Sequence, residues 1–118
     1  MQFIEYPPCS TCKKAKVWLT ERGVAFDDRH ITQNPPTAEE LRAWQKMSDL
    51  PWKRFFNTSG MKYRELGLAA QLDSLSEDEL VALLTSDGML VKRPLLVTEH
   101  AVIPGFRAEA WEAILANR

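Results

Sequence analysis

The segment PPCSTCKKAK, residues 7–16, contains the only two cysteines of the 118-residue chain, and three lysines follow them. A short apolar run, Phe3–Tyr6, precedes the segment and predicts a β-strand. Pro7 and Pro8 end this strand, because proline cannot donate a hydrogen bond to a sheet. The cysteine pair therefore begins at a turn, which favours exposure of Cys9 over burial in the core.

The sequence after the cysteines predicts a helix and then a second strand. Apolar residues recur at helical spacing from about Ser10 or Thr11 to Arg22, and Gly23 is typical of a helix C-terminus. Val24–Ile31 alternates weakly between apolar and polar residues, which predicts a strand. A strand, a helix and a strand within about 30 residues form a βαβ unit with parallel strands. A C-x-x-C pair between the first strand and the helix of such a unit favours an α/β, thioredoxin-like redox fold.

The remaining sequence predicts several helices, a hairpin and a final helix. Thr37–Glu40 and Ser76–Glu79 match the capping box, in which the first and fourth residues satisfy each other's backbone N–H groups at a helix start. The apolar runs Leu95–Val97 and Ala101–Ile103 flank a three-residue connection and predict a β-hairpin. A Pro-Gly pair then turns the chain into the last helix.

The composition is that of a soluble globular protein. Hydrophobic residues make up 45% and charged residues 26%, and the length suits one core rather than two. The net charge of −1 argues against direct nucleic-acid binding, which needs a clear basic excess. No apolar run approaches the roughly 18–20 residues of a membrane span, and the N-terminus lacks a signal-peptide pattern. We expect one domain, residues 1–118, in the cytoplasm, with no membrane and no direct nucleic-acid partner.

Cys9 is the candidate nucleophile because it lies where the first helix begins. A helix N-terminus carries free N–H groups and about half a positive charge, which stabilise an anion placed there. Such sites lower cysteine pKa values from about 8.5 to between about 3.5 and 7.5 and so favour the reactive thiolate. Lys13, Lys14 and Lys16 add positive potential nearby. Cys12, about one turn further on, is expected to be more buried and slower to react, which suits a thiol that resolves a covalent adduct on Cys9.

Two other interpretations of the cysteine pair remain open. The first is a structural zinc site, which usually needs four ligands, whereas His30 and His100 are isolated in the sequence. The second is a pair of inert, buried cysteines, which the Pro-Pro break and the helix start disfavour. We therefore expect no metal site.

Five segments make the chain resemble a known family, the ArsC/Spx family. This family contains arsenate reductases, Spx- and MgsR-type redox regulators and uncharacterised relatives with the C-x-x-C pair. The resemblance implies a thioredoxin fold whose mixed four-stranded sheet comes from a βαβ half and a ββα half, with a helical insertion at about residues 35–90 between them. It covers nearly the whole chain and is carried by residues 6–15 (YPPCSTCKKA), 55–60 (FFNTSG), 63–68 (YRELGL), 87–94 (DGMLVKRP) and 104–107 (PGFR).

The resemblance also implies a set of site residues. The family's nucleophilic cysteine falls on Cys9. Three arginines handle the oxyanion in glutathione-dependent arsenate reductases, and two of them fall on Arg93 and Arg107. The third falls at or near Asn57, which supplies neither the charge nor the fork of a guanidinium and so disfavours arsenate as the substrate. Such reductases also usually lack a cysteine at the position of Cys12, whereas Spx-type regulators carry the pair.

Pro94 and the two residues after Cys9, Ser10 and Thr11, complete the expected substrate site. Thioredoxin-like folds place a cis-proline beside the redox cysteine, and by resemblance Pro94 falls on that position. The cis form is uncommon, at about 5–6% of X–Pro bonds, so the sequence without the resemblance favours a trans-proline that opens an edge strand. With the resemblance we expect a cis bond that turns the backbone of Arg93 towards Cys9.

Two functions from different classes fit these residues. The first is a thiol-dependent oxidoreductase, in which the Cys9 thiolate attacks arsenate or a disulfide such as a glutathione adduct, and Cys12 or glutathione resolves the product. It needs no metal or organic cofactor, only an external thiol such as glutathione or a redoxin, and a monomer suffices. The second is a Spx-like regulator, in which oxidation of the pair alters binding to the C-terminal domain of the RNA polymerase α-subunit. We favour the oxidoreductase.

Overall fold

The computed structural model describes residues 1–116 and contains a mixed four-stranded sheet. The strands lie in the order β2-β1-β3-β4, with β1 parallel to β2 and β3 antiparallel to both β1 and β4. This arrangement confirms the predicted α/β class and the thioredoxin-like combination of a βαβ and a ββα half. The strands are β1 (Gln2–Glu5), β2 (Asp27–His30), β3 (Leu95–Val97) and β4 (Val102–Pro104).

Five α-helices and four short 3-10 helices complete the described part of the chain. The helices are α1 (Ser10–Glu21), α2 (Ala38–Ser48), α3 (Met61–Glu65), α4 (Glu77–Ser86) and α5 (Ala108–Ala116). The 3-10 helices are Trp52–Phe55, Leu68–Ala70, Leu72–Ser74 and Gly88–Leu90. All elements from α2 to the last 3-10 helix lie between β2 and β3, where the helical insertion is expected. Within residues 1–116, no helix is long and apolar enough to span a bilayer.

The sheet separates two cores, because successive side chains of a strand point to opposite faces. Phe3 packs on one face with Leu19 of α1 and Trp111 of α5. Ile4 packs on the other face with residues of the insertion, including Leu41 and Leu84. Helix α1, which contains Cys12, and helix α5 therefore cover one face, and the insertion covers the other.

The second strand is shorter than the predicted Val24–Ile31. Backbone pairing with β1 begins only at Asp27, whose partner is Gln2, and it ends at His30. Val24 is buried in the core without belonging to a strand, so its apolar character reflects packing rather than sheet pairing. The first strand likewise lies one residue earlier than the predicted Phe3–Tyr6, because the Tyr6 carbonyl turns to accept a hydrogen bond from the Cys9 N–H at 2.9 Å.

Several local predictions are confirmed. Both capping boxes form, with Thr37 and Ser76 as the N-cap residues of α2 and α4. The predicted hairpin of β3 and β4 forms, with β4 (Val102–Pro104) one residue later than the predicted Ala101–Ile103, and the Arg93–Pro94 peptide bond is cis.

Candidate active site

Cys9 is the N-cap residue of α1, with extended backbone angles of φ −72° and ψ 126°. Its side chain is partly exposed, whereas Cys12 is completely buried, and both thiols are free. The expected contrast between an accessible first thiol and a buried second thiol is therefore present.

The pKa of the Cys9 thiol is lowered from its ordinary value. Partial burial by itself raises this pKa, because it disfavours the charged form. The backbone N–H and the thiol of Cys12, the backbone N–H of Thr11 and the charge of Arg93 together outweigh that effect. The first helical turn thus favours the Cys9 thiolate, as expected for a sulfur at a helix N-terminus.

The pKa of Cys12 moves the other way and rises to about 12. Burial is the main cause, and a hydrogen bond from the Tyr6 backbone opposes it only in part. The hydrogen bond that Cys12 donates to Cys9 and the negative charges of Cys9 and Glu5 raise the pKa further. Cys12 therefore remains a thiol at neutral pH while Cys9 is unmodified.

The predicted contribution of the lysines is wrong for Lys16. Its Nζ lies 3.3 Å from Glu5 Oε2 and 2.6 Å from Asp28 Oδ2, so its charge is paired with carboxylates. The cation that lowers the pKa of Cys9 is instead Arg93, which comes from the segment before β3.

A cavity of about 400 Å³ lies against Cys9. Four cationic residues and no carboxylate line it, so its charges attract anionic groups. Of the expected site residues, the cavity brings together Cys9, Thr11, Asn57, Arg93 and Arg107, and it adds Arg54, Ser59, Lys92, Pro104, Gly105 and Phe106.

Ser10 and Pro94 are not among the residues that line this cavity. Ser10 is exposed as the first residue of α1. Pro94 is buried, and its carbonyl accepts a hydrogen bond from the Gly105 N–H at 2.8 Å. This bond holds the turn after β4, and therefore Arg107, beside the segment that carries Arg93.

Backbone hydrogen bonds also join the segment that carries Asn57 to the segment that carries Lys92. The Asn57 N–H donates to the Leu90 carbonyl, and the Lys92 N–H donates to the Phe55 carbonyl, both at 2.8 Å. An isolated β-bridge between Phe56 and Val91 lies between these bonds. The segment after the first 3-10 helix is thereby fixed against the segment that leads into β3.

Arg93 is held in place on three sides. Its Nη1 donates to the Met89 carbonyl at 3.1 Å, and its guanidinium lies 5.1 Å from the centre of the Tyr6 ring. With the Asn57 amide oxygen facing the guanidinium, that oxygen accepts from Nη1 and Nη2 at 3.1 and 3.3 Å. Asn57 therefore contacts the arginine, rather than replacing the charge of one.

Sequence reasoning missed two cations of the cavity, Arg54 and Lys92. Arg54 lies in the 3-10 helix Trp52–Phe55, which ends before Asn57, so no helical spacing links the two residues. The signal available for each cation was its proximity in the sequence to an expected site residue: Arg54 lies three residues before Asn57, and Lys92 is adjacent to Arg93. Within residues 1–116, no group of three or more His, Cys, Asp or Glu side chains is arranged to hold a metal ion.

The family follows from comparison with known proteins. A model of the ArsC family matches residues 4–114. The chain belongs to the ArsC family. Among curated proteins, the ArsC-family chain is 51% identical over 112 residues to the uncharacterised protein YusI of Bacillus subtilis, which covers 95% of both chains. It is 29% identical over 103 residues to the global transcriptional regulator Spx of Enterococcus faecalis, over 87% of this chain and 76% of that protein.

Solved structures of ArsC-family proteins share the fold. An ArsC family related protein from Bacteroides fragilis superimposes with a TM-score of 0.92 at 51% identity, over 96% of this chain and 95% of the other. A possible arsenate reductase from Streptococcus mutans gives a TM-score of 0.86 at 48% identity, over 94% and 96% of the two chains.

Proposed function

We propose that this ArsC-family protein is a thiol-dependent oxidoreductase that acts on substrates with anionic groups. The observation that carries the proposal is the position of a thiolate-favouring Cys9 against a cavity with four cations and no carboxylate. Cys9 attacks one sulfur of a disulfide substrate, and the other sulfur leaves as a thiolate. Cys12 or an external thiol then attacks the mixed disulfide on Cys9.

The volume of the cavity and the positions of its cations favour a peptide-like thiol over arsenate as the substrate. A cavity of about 400 Å³ falls in the range of sites for small organic ligands and is larger than a tetrahedral oxyanion requires. Arg54 and Arg107 belong to separate segments of its wall and are exposed, so they can contact separated carboxylates. A disulfide of glutathione carries such carboxylates, and glutathione is therefore the proposed thiol, with arsenate as the second substrate to test.

The first test is turnover. With glutathione as reductant and a glutathione mixed disulfide as substrate, the wild-type protein should show catalysis that Cys9→Ser abolishes. Mass spectrometry of the reduced Cys12→Ser variant, which lacks the resolving thiol, should find one glutathione on Cys9 after exposure to glutathione disulfide. An unmodified Cys9 together with absent turnover on the disulfide and on arsenate would overturn the proposal.

The second test concerns Arg54. Arg54→Gln should raise KM for the glutathione disulfide about five- to thirtyfold with little change in kcat, because a charge-assisted contact to a carboxylate contributes roughly 1–2 kcal/mol. Lys53→Gln is the matched control, since Lys53 is an exposed neighbour that does not line the cavity. Equal effects of the two substitutions would show that Arg54 acts only through the overall charge.

A redox-switched regulator is the second candidate function, and the C-x-x-C pair together with the similarity to Spx favours it. In this case Cys9 and Cys12 form a disulfide that alters α1, and the readout is binding to the C-terminal domain of the RNA polymerase α-subunit. A regulator should bind that domain in an oxidant-dependent manner without turnover, whereas the enzyme should turn over without such binding.

A further inference from the structure

A second cavity, of about 550 Å³, lies next to the cavity at Cys9. The two cavities share three lining residues, Asn57, Ser59 and Arg93, so a ligand in one lies beside the other. The function proposed above makes no use of the rest of the second cavity. These other lining residues come from α3, from the last 3-10 helix and from the residues that precede the two helices: Gly60, Met61, Lys62, Glu65, Asp87 and Met89.

The charges of the second cavity are balanced. Its two cations, Lys62 and Arg93, are matched by two carboxylates, Glu65 and Asp87. The cavity at Cys9, in contrast, has four cations and no carboxylate. The second cavity therefore does not attract a further anionic group, such as the second half of glutathione disulfide.

Two methionines give the second cavity an apolar surface. Met61, the first residue of α3, is 75% exposed, which makes it the most exposed large apolar side chain within residues 1–116. Met89 is half-buried in the segment before Arg93. Methionine side chains are flexible and polarisable, so they adapt to apolar groups of different shape. An apolar side chain placed in this cavity would remove part of Met61 from water, which is favourable.

Arg93 and Asn57 form the boundary between the two cavities. Arg93 Nη1 donates to the Met89 carbonyl at 3.1 Å, while the guanidinium charge acts on the Cys9 thiolate. Gly60 leaves room for the Asn57 amide at this boundary, because a Cβ at this glycine would lie 2.6 Å from that amide. An extended chain advances by about 3.3–3.6 Å per residue, so the residues that flank a cysteine bound at Cys9 can reach the second cavity.

We propose that the second cavity binds the polypeptide half of a protein–glutathione mixed disulfide. The proposal rests on the thiol-exchange function above and names its substrate class. Every disulfide substrate has two halves, and the cation-lined cavity accounts only for the glutathione half. The second cavity, with balanced charges and two methionine thioethers, suits an apolar side chain next to the modified cysteine of the polypeptide.

The reaction on such a substrate releases the polypeptide in its reduced form. The Cys9 thiolate attacks the glutathione sulfur and forms a bond to it. The bond from glutathione to the polypeptide sulfur breaks, and that sulfur leaves with the electron pair as a thiolate, which takes a proton from water. Free glutathione, by direct attack or after resolution by Cys12, then restores the Cys9 thiolate and becomes glutathione disulfide. Glutathione thereby supplies the electrons that reduce the polypeptide cysteine.

The test compares the reduction of three glutathione mixed disulfides by free glutathione, measured as glutathione disulfide formed. The first contains a short peptide with leucine on both sides of its cysteine, and the second contains the same peptide with serine in place of leucine. The third contains mercaptoethanol, which is too short to extend into the second cavity. The wild-type protein should show a kcat/KM about tenfold higher for the leucine peptide than for the other two, because only leucine gains from apolar burial.

Met61→Gln should remove most of this preference. Glutamine is similar in length to methionine but polar, so KM for the leucine peptide should rise about fivefold with little change in kcat. Met47→Gln is the matched control and should keep the full preference. Met47 is another exposed methionine, on α2, and it is not among the residues that line either cavity. Because the Met61 side chain is largely exposed, its substitution should not impair folding.

The outcomes separate this inference from the function on which it rests. Equal kcat/KM values for the three disulfides in the wild-type protein would overturn the inference and leave the thiol exchange intact. A preference for leucine that survives Met61→Gln, or that Met47→Gln removes equally, would also overturn it. Absent turnover on all three disulfides would instead contradict the proposed function itself.

Discussion

Cys9 and Cys12 are one helical turn apart, yet their environments move their pKa values in opposite directions. The first turn of α1 surrounds the Cys9 sulfur with N–H donors, and the core encloses the Cys12 sulfur. The link between them is a hydrogen bond from the Cys12 thiol, which lowers the pKa of Cys9 and raises that of Cys12. The buried Cys12 thiol therefore favours the thiolate form of Cys9.

Substitution of Cys12 separates this hydrogen bond from the helix contribution. Cys12→Ala removes the side-chain donor but keeps the backbone N–H groups, so the pKa of Cys9 should rise and its reactivity at neutral pH should fall severalfold. Cys12→Ser keeps a donor and should leave the Cys9 pKa closer to that of the wild type. The rate of Cys9 alkylation by iodoacetamide as a function of pH measures both values. Identical titration curves for the two variants would show that the thiol makes no such contribution.

At the scale of elements, Arg29 joins the βαβ half to the insertion. Its guanidinium forms a two-point ion pair with Glu40 of α2, at 2.7 and 2.9 Å. Its remaining N–H groups donate to the Asn34 and Pro35 carbonyls and to the Gln2 side chain. All five N–H donors of the guanidinium are thus used, and the side chain is only 12% exposed.

Replacing Arg29 by lysine should therefore cost far more stability than the same change at an exposed ion pair. An ammonium cannot reproduce the five-donor fork, so Arg29→Lys should lower the free energy of unfolding by about 2 kcal/mol. Arg42→Lys, at an exposed pair with Glu77 and Asp78, should cost less than about 0.5 kcal/mol. Urea denaturation of both variants measures the difference, and equal losses would contradict the assigned role of Arg29.

At the scale of the whole molecule, the residues predicted from the sequence are those whose position follows from short motifs. Cys9 and the two capping boxes depend on helix starts that local spacing reveals. Arg54 reaches the cavity only because a bridge between Phe56 and Val91 joins segments distant in the sequence. Glu5 is a charged residue separated from the Pro7–Pro8 break only by Tyr6, and no local sequence pattern marks it as buried. Its burial depends on the packing of α1 across the sheet, which sequence spacing does not encode.

The pH dependence of unfolding combines two carboxyls with opposite shifts. The folded-state pKa of Glu40 is lowered from 4.5 to about 2, chiefly by its hydrogen bonds to Arg29, so its contribution to stability is present above pH 4.5 and is lost as pH falls towards 2. The folded-state pKa of Glu5 is raised from 4.5 to about 7, chiefly by burial, so its contribution is present below pH 4.5 and is lost as pH rises through 7.

The wild-type free energy of unfolding should therefore fall between about pH 4.5 and 7, by on the order of 2–3 kcal/mol for this one group. Glu5→Gln removes this titration. The free energy of unfolding of the variant minus that of the wild type should therefore rise by the same amount between about pH 4 and pH 8. Urea unfolding at intervals across this range measures the two curves, with Glu21→Gln as the exposed control. Parallel curves for wild type and Glu5→Gln would show that folding leaves the pKa of Glu5 at its unfolded value, which would contradict the effect of burial on this carboxyl.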